Sequence, residues 1–173
     1  MTVRLSPRAI RAALARAMLA IAILGGIGPV HARTLDARVI RVVDGDTLVV
    51  QSGREALTIR MLYIDAPEHD QPYGREARRS LEQLVRLDRV RVDTKGRDKY
   101  GRTLARVIRA ADGLDVNLAQ VERGLAWCYS RSDARADIEA AEGGARRARR
   151  GLWADARPIS PRTWRRTHGP SRP

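Results

Sequence analysis

The chain has no phenylalanine, one cysteine and three histidines, and aromatic residues make up only 4% of its 173 positions. The single cysteine, Cys128, excludes a disulfide framework within the chain and any cysteine-built zinc cage. His31, His69 and His168 are not close together, which argues against a histidine-built transition-metal site. Acids are scarce beside bases: 20 Asp and Glu stand against 33 Lys and Arg, for a formal net charge of +13 and a pI near 11.3. That excess points to a polyanionic partner, nucleic acid first and an anionic membrane surface second. The length suits one globular domain, and a well-spread 43% of hydrophobic residues argues against wholesale disorder.

No acid occurs among residues 1–16, which carry Arg4, Arg8, Arg11 and Arg16. The apolar stretch Ala17 to Val30 follows and ends in Val30-His31-Ala32. A basic start, a short apolar run and small residues before a cleavage point predict a signal peptide over residues 1–32, cut after Ala32. The expected location is the periplasm or the medium, with no stable membrane association after processing. The stretch is short for a spanning helix and is broken by Gly25, Gly26, Gly28 and Pro29, so an uncleaved anchor is the lesser alternative. Removing four arginines leaves the rest strongly basic, so the charge belongs to the folded part.

From Asp36 the pattern reads as strands. Residues 38–43 are rich in β-branched residues and partly alternating, Asp44-Gly45-Asp46 turns, residues 47–50 resume, Ser52-Gly53-Arg54 turns again, and residues 56–64 form a third run. The second half of that run is apolar on both parities, which predicts a strand covered on both sides. Pro72, with Asp70 ahead of it as a candidate cap, opens an amphipathic helix over 72–87 carrying Tyr73, Ala77, Leu81, Leu84 and Val85. Two strands, 89–93 and 103–109, flank a loop over 95–102, and a second helix spans about 115–123 with Gly124 as its stop. Ala134, Ile138, Ala141, Ala145, Ala148 and Leu152 predict a last helix. Residues 33–155 form the expected domain, and 156–173 read as a basic, loosely ordered tail. Five strands and three helices in the order βββαββαα make an α+β fold, a five-stranded OB-type barrel of a kind that commonly holds oligonucleotides.

Asp44, Asp46, Asp65 and Glu68 cluster at strand ends, where carboxylates from neighbouring strands could converge on a hard cation, Ca²⁺ or Mg²⁺. A plain hairpin turn is the simpler account of Asp44-Gly45-Asp46 alone. Arg60, however, sits in an otherwise apolar strand, where a guanidinium is costly unless paired or facing a site. Arg102 follows Asp98-Lys99-Tyr100-Gly101. Two arginines, two aspartates and a glutamate are the parts of a metal-assisted phosphodiester hydrolysis.

Three blocks, Asp44-Gly45-Asp46-Thr47, Ile59 through Glu68, and Asp98-Lys99-Tyr100-Gly101-Arg102, resemble in order the signature blocks of the staphylococcal nuclease (thermonuclease) family. Val116-Asn117, Gly124-Leu125-Ala126 and Gly151-Leu152-Trp153 extend the resemblance over roughly residues 39–153. It implies Ca²⁺-dependent cleavage of DNA and RNA that leaves 3′-phosphate ends, and because nothing in the chain resembles a base-reading helix, little sequence specificity is expected. By position, Asp46 and Asp65 would be side-chain calcium ligands and Ala66 would supply a backbone carbonyl. Arg60 and Arg102 would be catalytic arginines and Glu68 the general base. Lys99, Tyr100 and Tyr129 would contact the nucleotide. The segment from Glu68 to Tyr73 is shorter than in the staphylococcal enzyme, which bears on access to the site and on a preference for single strands. A monomer is expected. The alternative from another class is a catalytically silent nucleic-acid-binding OB module, but such modules typically lack the acid and arginine set. A membrane-surface protein is the third reading, disfavoured because the apolar helix faces are alanine-rich.

Overall fold

A computed structural model describes residues 33–86, 88–129 and 135–169; the expected signal segment, residues 1–32, lies outside the described residues. Strands β1 (Thr34–Val42), β2 (Thr47–Ser52), β3 (Glu55–Met61), β5 (Arg89–Arg97) and β6 (Thr103–Arg109) form a closed barrel in the order β1-β2-β3-β6-β5. All neighbours are antiparallel except β3 and β6, which run parallel with Arg60 beside Leu104. The OB-type barrel expected from the sequence is therefore the fold.

Period-two alternation fills the interior. Val39, Leu48, Val50, Ile59, Met61, Val90, Val92, Ala105 and Val107 are all buried. A register shift between Val39 and Arg41 swings Ile40 outward, so Val39 and Val42 both face in despite lying three apart. Helix α1 (Gly74–Val85) lays Ala77, Leu81, Leu84 and Val85 on the core, each larger side chain contributing about 2 kcal/mol by burial. Helix α2 (Val116–Glu122) starts at Asp115, whose carboxylate accepts from the Leu118 N–H at 3.2 Å.

Four sequence expectations are corrected. The run 56–64 is not one strand: β3 leaves the barrel at Met61, turns through Tyr63 at φ 68°, and continues as the short β4 (Ile64–Asp65), which pairs with β7 (Trp127–Cys128). Its apolar second half is covered on both sides because it changes sheets. Helix α1 begins at Gly74, not Pro72, and its N-cap position falls on Tyr73, which makes no side-chain cap bond, rather than on Asp70. The last expected helix is shorter. Helix α3 (Ala136–Arg147) ends as Arg149 takes φ 49°, and a separate 3₁₀ turn (Gly151–Ala154) folds Leu152 and Trp153 back against Ala145. The tail 156–173, expected to be loosely ordered, contains helix α4 (Pro161–His168). Ser160 caps it by accepting from the Thr163 N–H at 3.2 Å, and Pro161 fits its first turn. The described residues thus hold four α-helices rather than three. No helix among them is long and apolar enough to cross a membrane.

Candidate active site

The turn Asp44-Gly45-Asp46 joins β1 to β2, with the Val43 N–H donating to the Thr47 carbonyl at 2.9 Å and the Asp46 N–H to the Asp44 carboxylate at 2.9 Å. It is pressed into the molecule rather than left at the surface. A Cβ on Gly45 would stand 2.6 Å from the Cβ atoms of both Ala66 and Ala77. Gln120 of α2 donates through Nε2 to the carbonyls of Gly45 at 2.7 Å and Ala77 at 3.0 Å, clamping turn and helix together. Glycine serves close approach here, and Asp46 is carried inside, 5% exposed. Its Oδ2 accepts from the Ala66 N–H at 2.7 Å and its Oδ1 from the Thr47 hydroxyl at 3.0 Å.

Arg60 pairs across the sheet with Thr47, which brings its guanidinium to the Asp46 carboxylate. Nη1 lies 3.1 Å from Asp46 Oδ2, and Nη2 donates to Asp65 Oδ1 at 2.8 Å. Nη1 also donates to the carbonyls of Met61 and Ile64, each at 2.9 Å. The left-handed backbone at Tyr63 turns the chain so that Ile64 and Asp65 face this guanidinium. Four acceptors around one group explain how an arginine is tolerated in an apolar strand.

Burial pushes the Asp46 carboxyl up to about 6; the attraction of Arg60 works against that rise and Asp44 adds to it. Burial raises Asp65 as well, opposed by a hydrogen bond from Arg165 and by Arg60. For Arg60 burial works to remove the proton, but Asp46, Asp65 and Asp44 outweigh it and keep the guanidinium charged. Asp46 and Asp65 are thus two buried carboxylates that meet at Arg60, with Asp65 bonded by Arg165 as well, and the donors they offer are all oxygen. That is an environment a hard divalent cation fits. Among the described residues no three His, Cys, Asp or Glu side chains cluster as a metal cage. An ion here would take the two aspartates and a backbone oxygen, the Ala66 carbonyl being the one implied by position.

Glu68 follows on the loop into α1. Its N–H donates to Gln71 Oε1 at 3.1 Å, and the Gln71 N–H donates to the Glu68 carbonyl at 3.0 Å. The loop closes so tightly that a Cβ on Gly74 would lie 1.8 Å from the Glu68 carbonyl oxygen. One residue that sequence reasoning missed joins this cluster. Arg165 of α4 donates to Asp65 Oδ2 at 2.7 Å, to Asp65 Oδ1 at 3.2 Å and to Glu68 Oε1 at 2.6 Å.

The structure does not bring Arg102 into contact with these groups. Its Nε donates to Asp98 Oδ2 at 2.8 Å, within the turn between β5 and β6. Since Leu104 lies beside Arg60, Arg102 arrives two residues before that position on the adjoining strand. Lys99 and Tyr100 occupy the same turn, and Tyr100 is 72% exposed, with Lys99 Nζ 5.0 Å and Arg102 Cζ 5.6 Å from its ring centre. A groove of about 230 Å³ lined by Leu57, Thr58, Arg97, Tyr100 and Arg102 runs beside them. Tyr129 follows β7; its N–H donates to the Tyr63 carbonyl at 2.8 Å and its ring is partly exposed. Asp46, Asp65, Ala66, Arg60 and Glu68 therefore make one cluster, and Lys99, Tyr100 and Arg102 a second.

Barrel and cluster together define an OB-fold protein with a buried acid–guanidinium site at the mouth of its first hairpin. The family model described as staphylococcal nuclease homologue matches residues 58–155, and the chain belongs to that family. It is 42% identical over 137 residues to an "uncharacterized endonuclease" of Escherichia coli, spanning 79% of this chain and 89% of the relative. It is 39% identical over 163 residues to protein ParB of Escherichia coli, spanning 89% and 92%. Against the micrococcal nuclease of Shigella flexneri it is 37% identical over 137 residues, spanning 74% and 79%.

Proposed function

We propose that the chain is a nuclease, a Ca²⁺-dependent phosphodiesterase that hydrolyses DNA and RNA with little sequence specificity and leaves 3′-phosphate ends. The observation that carries this reading is Arg60 held between Asp46 and Asp65 at 3.1 and 2.8 Å, with all three side chains largely buried. Asp46, Asp65 and the Ala66 carbonyl would hold the cation, which when bound supplies positive charge against the phosphate. Arg60, fixed by two backbone carbonyls and two carboxylates, presents a guanidinium that need not reorganise as charge develops on phosphorus. Glu68, at the edge of the same cluster, would accept the proton of the attacking water. Arg102 would reach the same phosphate from the adjoining strand once its pairing with Asp98 is exchanged for substrate. Tyr100, Lys99 and Tyr129 supply an aromatic face and a cation for a base and its phosphate, which suits single strands.

The remaining parts of the reading are a cleaved segment 1–32, a periplasmic or secreted location, and a monomer. The test is digestion of single-stranded DNA by the processed protein with Ca²⁺, with Mg²⁺ and with chelator, followed by end-group analysis. Cleavage only with Ca²⁺ and with 3′-phosphate ends is expected. Tight DNA binding without cleavage under every condition would replace this reading with the silent binding module.

A further inference from the structure

The carboxylates of the site are already occupied from within the chain, by a residue 100 positions from Asp65. Arg165 takes Asp65 through both oxygens and Glu68 through one, while Asp65 Oδ1 also receives Arg60. No oxygen of Asp65 is left without a guanidinium partner. The segment that delivers Arg165 is tied to the loop that carries Glu68, because Gln71 donates through Nε2 to the Ile159 carbonyl at 2.6 Å while its Oε1 receives the Glu68 N–H. Pro161 is buried at the first turn of α4, and Ser160 sets the direction of the helix. Arg165 itself approaches from the solvent side, with 35% of its side chain exposed, so it can withdraw without unpacking the barrel.

We propose that α4 is an autoinhibitory strap in which Arg165 stands in for the divalent cation, occupying Asp65 and Glu68 in the resting protein until the ion displaces it. This rests on the reading of Asp46 and Asp65 as cation ligands. A guanidinium and a divalent ion cannot share both Asp65 oxygens, so ion binding and strap docking compete for the same lone pairs. The site is thereby closed at low cation and opens as cation rises.

Ca²⁺ titrated calorimetrically into the full chain tests the competition. Arg165→Gln is expected to bind Ca²⁺ at least about tenfold more tightly than the unaltered chain, and Arg165→Lys, which lacks the bidentate fork, to fall between. Arg166→Gln loses the same charge from the same helix and is expected to stay within about twofold. Equal or weaker binding by Arg165→Gln overturns the strap and leaves the cation reading standing; no Ca²⁺ binding by any variant overturns both. Hydrogen exchange of the unaltered chain gives an answer that needs no substitution. Saturating Ca²⁺ should cost the amides of α4 their protection, and unchanged protection overturns the proposal.

Discussion

Arg60 is the residue on which site and fold both depend. Replacing it by alanine leaves two buried carboxylates without their shared partner, so Arg60→Ala should lose about 3 kcal/mol or more in urea unfolding and on the order of 10²-fold or more in cleavage rate. Unchanged stability would mean that Asp46 and Asp65 are neutral in the folded protein. Asp98 gives a prediction of opposite electrostatic sign to the buried acids. Burial works to raise its carboxyl, but hydrogen bonds from the Arg102 side chain and from the Arg102 and Tyr100 N–H groups prevail and hold it below its ordinary 3.8. Its contribution to stability is therefore complete above about pH 4 and disappears as pH falls through the folded value. Asp98→Asn should flatten that acid limb, and the carboxyl should titrate below 3.8 in an NMR series. At this scale the sequence was informative wherever a residue broke its local pattern. Arg60 in an apolar strand and Asp46 in an Asp-Gly turn stood out. Arg165 did not, because nothing local separates it from Arg162 or Arg166; only the phase of α4 turns it inward.

Elements hold the site through backbone contacts that composition does not advertise. Gln120 of α2 binds the first hairpin to α1, so Gln120→Leu should cost about 2 kcal/mol by removing its two buried hydrogen bonds to the Gly45 and Ala77 carbonyls. Gly45→Ala, with its methyl 2.6 Å from Ala66 and Ala77, should cost about 1–3 kcal/mol by overpacking and should weaken cation affinity, because Asp46 shifts with the turn. Thermal unfolding and Ca²⁺ titration of both variants check this. Strands β2 and β6 were readable because alternation and turn residues agreed, whereas β1 begins earlier, at Thr34, and β5 runs on to Arg97, into the segment expected to be a loop, because polar and glycine residues there hide the alternation. The division of 56–64 into β3 and β4 was not, since a strand that changes sheets stays apolar on both parities. Helix α4 was missed although the Ser160-Pro161 pair has the form of a helix start, because the prolines and arginines around it suggested a loosely ordered tail.

For the molecule as a whole, the strong excess of basic over acidic residues, which persists without residues 1–32, should make nucleic-acid affinity fall steeply with salt, log K declining linearly with log salt concentration. Filter binding between about 50 and 200 mM salt measures the slope, and a flat line would remove the phosphate backbone as the source of affinity. Architecture was legible because the three motif blocks occur in order; the joining of the carboxylates to the C-terminal helix was not, since it links residues 100 apart. The one parallel seam, β3 beside β6, carries a kinetic consequence. Neither edge of the sheet can close until helix α1 and strand β5 have been laid down between them, and β1 must find β5 across 59 residues. Refolding should therefore run in milliseconds to seconds rather than microseconds, with Asp46 and Asp65 meeting early across the β2–β3 hairpin and strand β6 docking last.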